Sequence, residues 1–439
     1  MKAFYTKSAL LAKSLFCLLI LSGILVLIAN TSTRVYAQAQ SPVVIRDTEI
    51  ERMLAKWSKP VIKAAGLRPG NVNIILVRNP AINAFVAGGP NVFFYTGLLR
   101  KTEGPGEFIG VMAHELGHIR GGHLVRARNA MEKASYEALL STVIGLGAAI
   151  ATGNAEAAAA ASTAGQSVAR RGFLKFSRTQ ESTADQSALS YLRRTGMPAK
   201  GLASFLEKLG AQELLPASQQ SEYARTHPLT RNRIESIKNA IDSGDKGSRH
   251  LPPEWVADHK RMVAKLEAFL HPGRVDPVPN PEQAATPRLY AAAIARYRED
   301  DHSTALAHLA RLSEREPDNP YFYELKGQLL VDAGKVEKAL PPYRKAVELL
   351  PEAPLLRTAL AHALIAAGGQ DGRDMLKQAI THLDSAARHS DRNPRIYRLL
   401  ATAHGRLGHD GLARLYLAEE AFLQNRFGNA RRHAGAAKQ

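Results

Sequence analysis

The 439-residue chain has a single cysteine and only two tryptophans. Cys17 lies inside the apolar run Leu15 to Ala29, so a chain cut after residue 39 has no thiol. That excludes disulfides and thiolate metal sites, and any metal must be held by His, Asp or Glu. The small residue expected before a lipidated cysteine is missing too, since Ser14-Leu15-Phe16 precedes Cys17, which argues against a lipoprotein. Acid is scarce: 40 Asp and Glu face 58 Lys and Arg, a formal charge of +18. Such a surface either attracts anionic partners or serves solubility alone. Long apolar runs are few. The first follows Lys2, Lys7 and Lys13 and leads to Val35-Tyr36-Ala37 and Ala37-Gln38-Ala39, the charged, apolar and small-residue parts of a secretory signal over residues 1–39. Four bases and no acid leave with that segment, so the remainder carries +14 and is expected in the periplasm, where lipid head groups are a better anionic partner than nucleic acid. Left uncleaved, the same run is an anchor near the short limit for spanning. The second run, Leu139 to Thr152 within the Ala-rich stretch 139–165, is short for a span and reads as a buried helical hairpin or a peripheral membrane contact.

Against these absences stands His114-Glu115-Leu116-Gly117-His118, inside the apolar run from Phe108 to Ala113. On a helix, residues four apart share one face, so His114 and His118 can take two corners of a tetrahedral zinc site. Glu115 then reaches a bound water as general base. A third ligand must come from elsewhere. The metzincin spacing puts it six residues after His118, where this chain has Leu124; His123 is one residue short and falls behind a ligand or on the surface. Glu181 is the best candidate, in Ser177-Arg178-Thr179-Gln180-Glu181-Ser182-Thr183-Ala184-Asp185. On a helix Asp185 faces the same way and would accept a hydrogen bond from a ligand histidine. An ordinary solvated carboxylate pair is the competing reading.

Around this motif the pattern predicts an α+β domain, mostly helical with a small sheet. Ile50, Met53, Leu54, Trp57, Val61 and Ile62 recur with helical spacing up to Gly66. Strands are expected at Val72–Val77, Asn83–Ala87 and Val92–Thr96. Residues 40–250 form this domain. Residues 251–287 form a helix around Trp255 to Phe269 and then a semi-rigid linker with Pro277, Pro279 and Pro281. Residues 288–430 repeat with a 34-residue period: Ala305 and Ala339, Pro317 and Pro351, then Ala379 and Ala413 after an insertion near Gly368. With Tyr323, Gly327, Tyr343 and Ala346, this is the tetratricopeptide pattern, an all-α solenoid with a concave binding face.

The His-Glu-x-x-His string, followed some sixty residues on by Ser-Arg-x-x-Glu-x-x-Ala-Asp, resembles the CAAX-prenyl-protease and HtpX-like family of zinc endopeptidases, of gluzincin type. Upstream Asn83-Ala84-Phe85, Gly88-Gly89 and Gly97-Leu98-Leu99 match that family's strand before the zinc helix, and the resemblance spans roughly residues 45–240. It implies one Zn2+ per chain, with His114, His118 and Glu181 as ligands and Glu115 as the catalytic base. It also points to His227, in Thr226-His227-Pro228-Leu229, as a latch capping the open metal position; an ordinary loop histidine is the alternative. Arg231 and Arg233 lie nearby, and either could stabilise an oxyanion. An extended polypeptide substrate is expected to add as a strand beside Val92, Phe93, Phe94, Tyr95 and Thr96. The repeats would recruit substrate or a protein partner such as outer-membrane assembly machinery. The rival reading is a chaperone or assembly scaffold whose protease is latent.

Overall fold

A computed structural model of the protein describes residues 43–126, 129, 177–210, 215–216, 219–244, 250–369, 372–390 and 393–437. The expected signal over residues 1–39 and the Ala-rich stretch 139–165 lie outside the described residues. Among the described residues no helix is long and apolar enough to cross a membrane.

A two-residue strand β1 (Val44–Ile45) leads into α1 (Thr48–Ala64). The Asp47 carboxylate accepts from the backbone N–H of Ile50 at 2.9 Å and fixes where α1 starts. The periodic residues from Ile50 to Ile62 are all buried, and the Trp57 ring meets Phe108 edge-on at 5.9 Å. Strands β2 (Asn73–Val77), β3 (Ala84–Ala87) and β4 (Asn91–Tyr95) complete a four-stranded sheet of order β1-β2-β4-β3. β4 runs parallel to β2 and antiparallel to β3.

This order corrects one expectation. Val92, Phe93, Phe94 and Tyr95 do not form an edge that a substrate strand could join, because β4 is hydrogen-bonded on both sides. Thr96 is not in the strand at all; it opens α2 (Thr96–Lys101). The reversal at Gly88 and Gly89, with φ of 62° and 102°, folds β4 back between β2 and β3. The outer strands of the sheet are β1 and β3.

Helix α3 (Pro105–Gly121) carries the His-Glu-x-x-His string. Pro105 starts it at a position that needs no N–H donor, and Gly122 ends it in the left-handed conformation at φ 61°. Every residue from Phe108 to Gly117 is buried, so α3 is a core helix with no solvent face along that stretch. It is wrapped by α4 (residues 177–195), α5 (Lys200–Gly210), α6 (Glu222–Thr226) and α7 (Arg231–Gly244).

The helix expected around Trp255 is α8 (Pro253–Leu270). It is no mere connector: Trp255, Met262 and Leu266 lie in the core around α3, whereas Ala268 lies in the core of the first repeat. The proline-rich stretch behind it is packed as a strap. Val275, Val278 and Ala284 rest on the repeat core, and the Arg315 guanidinium donates to the carbonyls of Pro281, Glu282 and Ala284 at 2.5–2.8 Å. The repeats follow as helices α9 (Thr286–Arg298), α10 (His302–Arg315), α11 (Pro320–Asp332), α12 (Val336–Leu349), α13 (Pro354–Ala367), α14 (Arg373–His389), α15 (Pro394–Arg406), α16 (Asp410–Leu423) and α17 (Phe427–Ala436). Ala305, Ala339 and Ala379 are fully buried. A Cβ on Gly327 would stand 2.8 Å from the Tyr343 ring, which is why this pair recurs as small against large.

Where peptidase-side and repeat-side helices meet, charge is buried. Glu49 is fully enclosed, with Lys265 Nζ at 3.0 Å, Arg261 Nε at 2.7 Å and the Tyr290 hydroxyl donating at 3.1 Å. Lys265 also meets Asp47 at 2.7 Å. Lys265→Met is expected to lower unfolding free energy by about 3 kcal/mol, since Glu49 then keeps its burial and loses its ammonium partner; urea denaturation measures it. A second expectation concerns acid. His259 is buried 2.8 Å from Thr102 Oγ1, and burial, against a weaker pull from Glu107, pushes its pKa from 6.5 to about 4. The unfolded chain thus takes up a proton at a pH where the fold does not. The neutral ring's contribution is intact above pH 6.5 and is lost as pH falls from there towards 4, amounting to at most about 3 kcal/mol. His259→Gln should flatten the stability profile in that window, read from melting temperatures against pH.

Candidate metal centre

Four side chains converge at one end of the buried helix. His114 and His118 come from α3, Glu181 from α4 and His227 from the residue that ends α6. One ligand atom from each lies within 4.8 Å of all the others. His114 Nε2 is 3.0 Å from His118 Nε2 and 3.3 Å from His227 Nδ1. Glu181 supplies Oε2 at 3.3 Å from His114 Nε2 and 3.2 Å from His227 Nδ1, and Oε1 at 3.3 Å from His118 Nε2. Gly117 makes the approach of α4 feasible, because a Cβ there would stand 2.8 Å from the Ala184 carbonyl oxygen.

Asp185, one turn after Glu181, lies behind the first histidine, with Oδ1 2.9 Å from His114 Nδ1. Arg233 of α7 grips both carboxylates. Its Nε and Nη2 donate to Asp185 at 2.7 and 2.9 Å, Nη1 lies 3.0 Å from Glu181 Oε2, and Nη1 also donates to Pro228 O at 2.8 Å. Glu115 is buried beside His227, whose Nε2 is 3.5 Å from Oε1 and 3.2 Å from the carbonyl oxygen of Ala84 in β3. Arg231 is exposed at the start of α7, and no contact joins it to the cluster.

Without an ion, the buried charges balance one another: Glu181 is held ionised and His114 is held protonated, so binding a cation would release that proton. Burial works against ionised Glu181, yet the imidazoles of His227, His114 and His118 hold its carboxyl well below the usual range. Burial likewise opposes a charged His114, and Asp185 and Glu181 override it, raising the ring to about 10. His118, backed by no carboxylate, is lowered by burial. His123 goes down to about 4, by burial first and then by His118 and Arg126.

The donor set fits a metal. A tetrahedral ion with bonds of about 2.1 Å needs ligand atoms roughly 3.4 Å apart, and five contacts among the cluster's ligand atoms are close to that spacing, at 3.0–3.3 Å. Three imidazole nitrogens and a carboxylate oxygen make a plausible zinc set. Two buried groups at its margin, both Glu115 oxygens and the Tyr223 hydroxyl, have no hydrogen-bond partner among the described residues.

Two participants escape a reading of the sequence. Tyr223 is fully buried, stacks on the His227 ring at 4.6 Å, and has its hydroxyl pushed well above 10 by burial and by Glu115. Its spacing four residues before His227 on a short helix is the signal that could have found it. The grip of Arg233 on Asp185 and Glu181 has no sequence signal, since 48 and 52 residues separate the partners.

A His-Glu-x-x-His helix, joined by a carboxylate from a later helix beside a small sheet, is the architecture of a metallopeptidase domain. Residues 45–241 match Peptidase family M48 and residues 282–426 match Tetratricopeptide repeat, so the chain carries an M48 peptidase domain followed by such repeats. It is similar to the beta-barrel assembly-enhancing protease of Yersinia pestis, 28% identical over 302 residues, covering 66% of this chain and 60% of that one. The protein of the same name from Escherichia coli (strain K12) is 27% identical over 306 residues, covering 67% and 61%. The chain thus spans about 60% of the length of these relatives. Among solved structures, one described as MamA MSR-1 C2 covers 38% of this chain and 91% of its own, at 20% identity and a TM-score of 0.32.

Arg233→Gln is expected to leave two buried carboxylates short of their cation. Stability without metal should fall by about 3 kcal/mol, and the loss should shrink when zinc is added, as followed by thermal melting with and without the ion.

Proposed function

We propose that the chain is a zinc-dependent endopeptidase of the periplasm that cleaves unfolded or misassembled envelope proteins. The observation that carries this reading is the meeting of His114, His118 and Glu181 at one point, with the buried carboxylate of Glu115 beside it, in a domain of peptidase family M48. Zinc held there would polarise a scissile carbonyl and acidify water. Glu115 would serve as the general base, taking a proton from the attacking water and passing it to the leaving amide nitrogen. Asp185 orients His114, and Arg233 holds Asp185 and Glu181 ionised and in place. Arg233 is committed to those contacts, so oxyanion stabilisation falls to other donors. A polypeptide substrate adds along β3, an outer strand of the sheet that touches the cluster, with main-chain bonds and little sequence preference.

His227 is the latch. Its Nδ1 would complete the ligand set, and its Nε2 reaches Glu115 and Ala84, so the ring covers the general base and one end of β3 together. Opening requires this ring to swing away. The same contacts favour a second reading, in which the protein serves mostly as an assembly scaffold while its protease stays closed. The repeats recruit substrate or partner in either case, and the likeness to the beta-barrel assembly-enhancing proteases supports outer-membrane assembly machinery as that partner. A secretory signal over residues 1–39, a peptidase domain over 40–250, a connecting helix and strap over 251–287 and repeats over 288–430 complete the proposal.

Glu115→Gln should keep fold and zinc while cleavage of unfolded outer-membrane protein drops about 10²–10⁴-fold, the usual range for removing a general base. His227→Ala should raise cleavage. If the Glu115→Gln protein cleaves normally, the mechanism is wrong; if it fully complements a deletion strain, the scaffold reading prevails.

A further inference from the structure

The two ligand imidazoles of α3 have different groups behind them. His114 is backed by the carboxylate of Asp185. His118 directs Nε2 into the cluster, and its other nitrogen, Nδ1, lies 3.0 Å from Nδ1 of His123. A neutral imidazole that binds a metal through Nε2 carries its proton on Nδ1, and that proton needs an acceptor when buried. The facing Nδ1 of His123 can be that acceptor only if it is bare, which puts the proton of His123 on its Nε2. The contact thus defines both tautomers.

The surrounding chain is shaped to keep His123 there. Although it lies just past the end of α3, its side chain is 3% exposed, whereas Leu124 beside it is 48% exposed. Gly122, at φ 61°, turns the chain back at the helix end. Gly121 leaves room for the ring, since a Cβ at that position would stand 2.2 Å from His123 Nε2. The Gln180 side chain donates to the His123 carbonyl at 3.4 Å, so the residue before Glu181 ties this turn to the helix supplying the third ligand.

We propose that His123 is a positioning residue of the metal centre, accepting the Nδ1–H of His118 and so fixing that ligand's tautomer and ring plane. It touches neither metal nor substrate. A neutral acceptor suits this place. Glu181 and Asp185 already put two buried carboxylates against one guanidinium, and a third anion behind His118 would lack a cation. The inference rests on the reading of His118 as a ligand, and the experiment separates the two.

Zinc affinity of the full chain, stripped and titrated against a chromogenic chelator, is the first readout; the visible absorption spectrum of the cobalt-loaded protein is the second. His123→Leu keeps bulk and removes the acceptor, and should weaken zinc about 10–100-fold while shifting the cobalt bands. His123→Asn puts an amide oxygen where Nδ1 stands and should restore affinity to within roughly threefold of the parent protein. Gly121→Ala, which crowds the ring while leaving His123 intact, should weaken zinc in the same direction, and it carries the test if His123→Leu does not fold. Unchanged zinc affinity in folded His123→Leu would overturn the proposal, as would equal weakening in His123→Asn. Full zinc binding by His118→Ala would instead overturn the ligand reading itself.

Discussion

The burial of α3 on every side is the constraint from which the rest of the site follows. A helix that presents no face to water must accept neighbours at backbone distance, and glycine supplies the clearance. At Gly110 a Cβ would stand 2.7 Å from the Leu202 Cα, and at Gly117 one would stand 2.8 Å from the Ala184 carbonyl. These two contacts set the separation of α3 from α5 and α4. Because Glu181 lies three residues before Ala184 and Asp185 one after it, the contact at Gly117 fixes how far both carboxylates reach towards His114 and His118. The second glycine of the motif segment is therefore part of the metal geometry, although it offers no ligand atom.

Burial on that scale creates an electrostatic problem, and the solution is shared by several elements. The carboxylates of Glu115, Glu181 and Asp185 and the imidazoles of His114 and His227 are enclosed, and an isolated buried carboxylate would cost several kcal/mol. Arg233 answers this with one planar group that meets Asp185 through two nitrogens and Glu181 through a third, a geometry a lysine could not reproduce. The histidines complete the balance. His114 is surrounded by both carboxylates and is the most easily charged ring; His118, with only the neutral His123 behind it, is the least. The site is thus asymmetric before any ion is bound, and α7, which supplies no ligand, is required for its charge to be tolerable.

The sequence was most legible where periodicity or a local motif carried the information. The helix from Ile50 to Ile62 and the 34-residue repeat could be read because each buries residues at a fixed interval, and Ala305 and Ala339, 34 residues apart, are fully buried as that interval demands. His114, Glu115 and His118 share one helix, so their proximity follows from helical geometry alone. Strand order is another matter. Val92 to Tyr95 looks the same whether it lies at the edge or in the middle of a sheet; its place between β2 and β3 is decided by how the Gly88-Gly89 turn folds back, a long-range outcome. Arg231 and Arg233 were indistinguishable by position. Two residues of helix rotate a side chain by about 200°, which sends one to solvent and the other into the core.

The proline-rich stretch shows the same limit from the opposite direction. Its composition reads as a spacer, but composition cannot reveal that Arg315 would hold three carbonyls of it, or that Val275 and Val278 would find an apolar surface. With the strap packed down, α8 is the one element among the described residues that is buried in both cores, Met262 and Leu266 on one side and Ala268 on the other. The same helix supplies Lys265 and Arg261 to the buried Glu49. A rotation of the repeats against the peptidase domain would have to part these charges inside a closed interface, at a cost of several kcal/mol. Motion of the repeats as a rigid arm against α3 is therefore disfavoured.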